Sequence, residues 1–154
     1  MVIQIKSEQF QSLFRHAEKT YPEECCGIIL GEIEGDRKVI LDLIPTRNTW
    51  NEEDSKYLQE IVNLADRSGE KARNFSIAPE DLLKAQKEAR DRHIIVLGFY
   101  HSHPDTAAIP SEFDRAIAWS DYSYLIIAVN QGKANDVQSW TLDRQQQFQS
   151  EIIQ

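Results

Sequence analysis

Apolar residues recur along this chain at two spacings, one typical of helices and the other typical of strands. Between Ser7 and Lys19 they follow helical spacing, which predicts a helix with Ser7 as its N-cap. Pro79 opens a second predicted helix, because apolar and small residues share one of its faces and charges occupy the other. Short apolar or alternating runs indicate strands. These runs are 26–33, 38–44, 94–100, 122–130 and 134–140, with an edge strand at 149–153 and a short helix at 111–119.

This order of elements predicts an α/β or α+β fold in which a central mixed β-sheet is flanked by helices as a sandwich. The chain has 154 residues, which lies in the single-domain range and allows about two-thirds of the unfolded surface to be buried. No internal repeat, low-complexity tract or linker interrupts the pattern. We therefore expect one domain over residues 1–154.

Charge and composition narrow the classes of partner. The formal net charge of −8 argues against nucleic acid, whose phosphates require a lysine and arginine surface. The sequence has neither a long apolar segment nor a basic leader with an apolar core, so we expect a cytoplasmic protein without a membrane partner. The adjacent Cys25 and Cys26 are predicted to be reduced packing residues, because a disulfide between neighbours closes a strained ring.

The most informative stretch of the chain runs from His101 to Asp114. His101 and His103 follow an apolar run, and side chains two apart on a strand face the same way. The two imidazoles can therefore converge at the end of that strand, where Asp114 is the obvious third ligand. Two neutral imidazoles and one carboxylate suit zinc, and three protein ligands leave the fourth tetrahedral position open for water, as in catalytic sites.

A structural interpretation of the same residues also exists. Ser111 followed three residues later by Asp114 is typical of a helix start, with the serine as N-cap. An isolated His-x-His is usually just a pair of polar residues at a strand end. The two interpretations are compatible, because a helix that begins near Ser111 would fix the backbone that carries Asp114.

These residues resemble the motif of the JAMM metalloproteases, the MPN-plus domains. His101-Ser102-His103, a seven-residue spacer that ends at Pro110, then Ser111, two residues and Asp114 match that motif in full. The resemblance extends over about Val2 to Trp140 and implies a sandwich fold like that of cytidine deaminases. It also implies an upstream glutamate, and Glu24, three residues before a glycine, matches that position. Glu23 is the local competitor, and both acids could instead lie in a solvated turn.

The resemblance implies a zinc-dependent metallopeptidase of the small stand-alone prokaryotic type, with one zinc ion per chain. His101, His103 and Asp114 would hold the metal, Glu24 would be the general base, and Ser111 would stabilise the oxyanion. The implied substrate is a ubiquitin-like or sulfur-carrier protein, cleaved after its C-terminal glycines. Two alternatives remain: a non-catalytic MPN scaffold, and a hydrolase of small amides.

The polar segment 46–74 fits this pattern least well. Its residues 57–65 could form a short helix, and a loop of this length is often functional. We expect the segment to border the substrate groove and to become ordered when a peptide binds.

Overall fold

The computed structural model describes residues 1–51 and 71–154, which form a mixed α and β fold. Every strand and helix predicted within those residues is present, with ends shifted by a few positions. The helix predicted at 57–65 lies outside the described residues. The helices are α1 (Ser7–Thr20), α2 (Pro79–Asp91) and α3 (Glu112–Ile117). The strands are β1 (Val2–Gln4), β2 (Cys26–Glu34), β3 (Arg37–Thr46), β4 (Ile95–Pro104), β5 (Ser123–Asn130), β6 (Lys133–Leu142) and β7 (Phe148–Ile153).

The strands close into a barrel in the order β1-β3-β2-β4-β5-β6-β7. The predicted mixed α and β class is therefore confirmed, and the predicted sandwich of a sheet flanked by helices is wrong. Closure depends on β1, which pairs in parallel with both β3 and β7. This three-residue strand is too short to show an alternating pattern in the sequence. The segment 149–153 was expected to be an edge strand, yet β7 is paired with β6 on one side and with β1 on the other. Closure thereby covers backbone groups that an edge strand would expose.

Alternation along β2 positions the two longer helices. Ile29 packs in the same core cluster as Leu13 and Ala17 of α1. Its neighbours Ile28 and Leu30 point to the other side of the sheet, where they pack with two alanines of α2, Ala85 and Ala89. The first helix begins at Ser7 itself, so its N-cap is Lys6, one residue before the predicted cap. The Lys6 N–H donates to the Gln9 side chain at 2.8 Å.

The two cysteines are free and buried, as predicted. Burial raises the pKa of Cys25 to about 12 and that of Cys26 to about 11. Both thiols are therefore protonated at neutral pH and act as small apolar groups. Cys25 packs in the α1 cluster, and Cys26 packs with Trp50, Phe75 and Phe113.

A group of buried polar residues connects four strands across the barrel interior. The Lys38 ammonium on β3 donates to Ser123 Oγ at 2.5 Å and to Glu151 Oε2 at 2.8 Å. The hydroxyls of Ser123 and Ser139 both donate to Glu151 Oε1 at 2.8 Å. We call Lys38, Ser123, Ser139 and Glu151 the closing cluster. Among the described helices, none has both the length and the apolar character needed to cross a bilayer.

Candidate metal site

The predicted histidine pair lies within β4, which continues through the motif to Pro104 instead of ending before it. Because His101 and His103 are two residues apart on one strand, their rings face the same side. Their Nε2 atoms lie 3.1 Å apart, and both side chains are buried. Parallel pairing with β5 holds the strand straight at this point, with His101 opposite Ile126 and His103 opposite Ala128.

Asp114 reaches the histidines from the first turn of α3. Its Oδ1 lies 3.1 Å from His101 Nε2, and its Oδ2 lies 3.0 Å from His103 Nε2. The capping interpretation holds as well, because Asp114 N–H donates to Ser111 Oγ at 3.1 Å and Ser111 N–H donates back to Asp114 Oδ2 at 2.9 Å. The helix cap therefore orients the carboxylate toward the two imidazoles. The helix itself is shorter than the predicted 111–119.

Glu24 is placed by the antiparallel pairing of β2 with β4. That register sets Cys26 opposite His101, so Glu24, two residues earlier, comes beside His103. Ser102 fixes the approach, because its N–H donates to Cys25 O at 3.1 Å and its Oγ accepts from Cys25 N–H at 2.8 Å. Ligand atoms of Glu24, His101 and His103 all lie within 4.8 Å of one another. The neighbouring Glu23 is exposed while Glu24 is buried, which favours Glu24 as the acid of this site.

A close approach between β2 and β4 makes this register possible. Gly27 lies opposite Tyr100, and a Cβ at Gly27 would come within 2.3 Å of the Tyr100 ring. No larger residue fits there without moving the ring. The glycine therefore sets how closely Glu24 and the histidine strand approach each other.

Residues that support the histidines were missed by the sequence analysis. Phe75 stacks on the His101 ring, with centroids 4.4 Å apart and an interplanar angle of 19°. His103 Nδ1 lies 2.8 Å from the carbonyl oxygen of Ala107. A carbonyl can only accept, so Nδ1 carries the hydrogen and Nε2 presents a lone pair toward Asp114. Asn48 donates to the carbonyls of both Glu24 and Asn74, at 3.0 and 2.9 Å.

The electrostatics of the cluster suit a cation. Burial lowers the pKa of His101, and the neighbouring His103 lowers it further, against an opposing effect of Asp114. Burial alone would raise the pKa of the Asp114 carboxyl, yet the two imidazoles together hold it well below its usual range. The site therefore presents neutral imidazole and an ionised carboxylate at neutral pH, the combination that zinc binds.

The geometry of the acceptor atoms tests that fit. In neutral His103 with its hydrogen on Nδ1, the Nε2 lone pair faces Asp114 Oδ2 at 3.0 Å, and neither atom has a hydrogen to share. In a tetrahedral zinc site with bonds of about 2.0–2.1 Å, two ligand atoms lie about 3.3 Å apart. The separations of 3.0 to 3.1 Å among the three side chains are close to that value. The described residues thus fit a divalent metal.

A cleft opens the cluster to solvent. Among the described residues, three parts of the chain line it: Glu24 before β2, Ala72 and Arg73 before α2, and the stretch from the end of β4 to the start of α3. The last part contributes His103, Pro104, Thr106 and Ser111. An extended chain that enters the cleft would meet the acid, the histidine and the serine together.

Residues 6–143 match the family described as prokaryotic homologues of the JAB domain. The chain belongs to this family. The JAMM resemblance found in the sequence is thereby confirmed at the level of the JAB/MPN family. The fold agrees, because the solution structure of protein DSY2949 from Desulfitobacterium hafniense superposes with a TM-score of 0.76 at 28% identity, over 99% of this chain and 92% of that one.

Two relatives of this JAB-family chain carry hydrolase names. It is 30% identical to the mouse Lys-63-specific deubiquitinase BRCC36 over 124 residues, which cover 73% of this chain and 43% of that protein. It is 24% identical to the CysO-cysteine peptidase of Mycobacterium bovis, over 92% of this chain and 83% of that one. The chain spans less than half the length of the mouse protein, so the match concerns one part of that enzyme.

Proposed function

We propose that this chain is a zinc-dependent peptidase or isopeptidase that cleaves after the C-terminal glycines of a ubiquitin-like or sulfur-carrier protein. The observation that carries the proposal is the convergence of His101, His103 and Asp114 at 3.0 to 3.1 Å, with buried Glu24 beside them in an open cleft. A scaffold would have no use for such a cluster of mutually facing acceptors. The substrate class is taken from the named activities of the deubiquitinase and the peptidase relatives.

His101, His103 and Asp114 would hold the metal. Glu24 is the competing third ligand, since its oxygen also lies within 4.8 Å of both histidines. Asp114 is favoured because it contacts each Nε2 directly and because the Ser111 cap fixes its orientation. A bound zinc ion would supply Lewis acidity toward water and toward the scissile carbonyl.

The chain's own residues carry the proton and stabilise the developing charge. Glu24 accepts a proton from the attacking water and delivers it to the departing nitrogen, so one carboxylate serves as base and then as acid. Burial of Glu24 keeps bulk water from competing for that proton. Ser111 Oγ accepts from Asp114 N–H, which leaves its own hydrogen to donate to the oxyanion.

A substrate panel with a chelator control tests the proposal. Metal content of the purified protein is measured, and carrier proteins with diglycine tails joined to a further residue or to a lysine side chain are offered beside small amides. We expect about one zinc per chain, cleavage of a carrier substrate, loss of cleavage with chelator and recovery on adding zinc. A protein that binds no metal and cleaves nothing would be a scaffold. Cleavage of the small amides alone would establish the alternative function, a hydrolase of small amides.

A further inference from the structure

Arg73 brings a guanidinium group into the cleft beside Glu24. Its position is fixed by the backbone, because Glu24 N–H donates to Lys71 O at 2.8 Å. Asn48 adds a second tie by donating to the carbonyls of Glu24 and Asn74 at 3.0 and 2.9 Å. Asn74 is fully buried while Arg73 is exposed. The buried Asn74 therefore holds the chain in place next to Arg73, and the Arg73 side chain lines the cleft.

The charge of Arg73 contrasts with its surroundings. Among the described residues that line the cleft, Glu24 is the acid and Arg73 is the cation. The protein as a whole has a formal net charge of −8, which disfavours anionic ligands in general. A guanidinium matches a carboxylate with two parallel hydrogen bonds, so Arg73 offers a local site for a carboxylate on an otherwise unfavourable surface.

We infer that Arg73 binds the free α-carboxylate of the residue that leaves. This inference rests on the proposed function and specifies its substrate: a carrier tail with an amino acid attached by an ordinary peptide bond at its C-terminus. Glu24 must deliver a proton to the departing nitrogen, so the leaving residue lies on the Glu24 side of the cleft, where Arg73 is anchored. In a C-terminal residue, the α-carboxylate is attached to the same carbon as that nitrogen. A lysine side chain joined by an isopeptide bond has only methylene groups there.

The reaction is hydrolysis with no redox step. The water oxygen bonds to the glycine carbonyl carbon and the carbon–nitrogen bond breaks. One water proton passes through Glu24 to the nitrogen, and the second leaves the new carboxylic acid and is taken up by the free amine. The products are a carrier ending in glycine carboxylate and a free amino acid, whose carboxylate Arg73 holds throughout.

Two substrates that differ in a single group test the inference. Each is the same carrier with one extra residue after its terminal glycine, ending either as the free acid or as the carboxamide. Wild-type protein, Arg73→Gln, Arg73→Lys and the control Lys84→Gln are compared by kcat/KM with zinc present. Lys84 is an exposed cation of α2 outside the cleft lining, so the control removes the same charge elsewhere.

We expect wild-type protein and Lys84→Gln to prefer the acid by about tenfold, the size of one charge-assisted hydrogen bond. Arg73→Gln should lose that preference through a lower rate on the acid, with the amide unaffected. Arg73→Lys should keep a smaller preference for the acid, because lysine retains the positive charge but lacks the planar guanidinium that makes two parallel hydrogen bonds. Equal rates of wild-type protein on acid and amide would overturn the inference. An equal loss on both substrates in Arg73→Gln would do so too, since Arg73 would then act through Glu24.

A binding measurement separates this inference from the proposed function. The Glu24→Gln protein, with and without Arg73→Gln, is titrated with the acid and the amide, and dissociation constants are read by fluorescence anisotropy. Tighter binding of the acid that disappears with Arg73→Gln supports the carboxylate site even if no cleavage is seen. Cleavage of only the lysine-linked substrate would uphold the proposed function and overturn the role of Arg73.

Discussion

Two buried polar clusters among the described residues differ in how their hydrogen-bonding groups match. In the closing cluster every contact joins a donor to an acceptor: Lys38 to Glu151, and two serine hydroxyls to the same carboxylate. In the metal-site cluster, a histidine lone pair faces a carboxylate oxygen at 3.0 Å. The side chains of both clusters are buried, so burial does not distinguish them.

The difference teaches which buried polar group serves structure and which serves chemistry. A satisfied ion pair with neighbouring hydroxyls needs no outside partner and fixes the strands that supply it. Converging acceptors gain little from one another until a cation lies between them. Matching of donors and acceptors thus supports a structural role for the closing cluster and the proposed role of His101, His103 and Asp114 as metal ligands.

The largest expected effect comes from replacing Glu24, the proposed general base. Glu24→Gln keeps the size of the side chain and loses proton transfer, so kcat/KM should fall by about two to four orders of magnitude. Its thermal stability should stay near that of the wild-type protein. Glu23→Gln changes the exposed neighbour and is the matched control, with activity unchanged. Comparable activity in the two variants would remove Glu24 from the proposed mechanism.

The next effect breaks the closing cluster. Glu151→Ala leaves the Lys38 ammonium buried without its 2.8 Å carboxylate partner, which should lower the free energy of unfolding by about 3–5 kcal/mol. Urea unfolding followed by circular dichroism measures the loss. If the single variant fails to fold, the double variant Lys38→Met with Glu151→Leu still tests the role of the ion pair. Replacing both partners should restore most of the stability, because no charge is then left unpaired. A double variant as unstable as Glu151→Ala would show that the ion pair is not what the strands require.

These two clusters also show what the sequence could predict. The histidine pair and Asp114 follow from strand alternation and a helix cap, both local patterns that survive folding. Lys38 and Glu151 occupy polar positions of alternating strands, so they resemble solvent-facing residues, and only barrel closure turns them inward. Closure itself depends on β1, which is too short to carry a pattern. Phe75 and Asn48 lie in or beside a polar segment without periodicity, so neither could be assigned to the site.

A third experiment asks whether a cation completes one cluster and leaves the other unaffected. Zinc at about 100 times its dissociation constant should stabilise the protein by about 2.7 kcal/mol, seen as a higher melting temperature. Asp114→Asn should lose most of this increment, because the anionic ligand is gone. The double variant Lys38→Met with Glu151→Leu should keep it. An equal zinc response in Asp114→Asn would contradict the assignment of Asp114 as a ligand and favour Glu24.

The smallest effect concerns the half-buried His16 and its partner Tyr100, on the other face of β4. His16 Nδ1 lies 2.7 Å from the Tyr100 hydroxyl, next in sequence to His101. Burial lowers the pKa of His16, and Lys19 lowers it further. Burial also raises the pKa of Tyr100, so the phenol keeps its hydrogen and can donate it to a neutral imidazole.

The sign of the pH effect follows from the lowered pKa of His16 in the folded protein. Below about pH 6.5 the unfolded chain binds a proton at His16 while the folded chain does not, so this contribution to stability is complete above that pH and declines as pH falls toward the folded pKa. His16→Asn keeps an acceptor that does not titrate and should flatten the decline. Urea unfolding of both proteins between pH 5 and 8, with Glu151 intact and without zinc, measures the difference. Parallel pH profiles would mean that protonated His16 is accommodated without loss of the Tyr100 bond.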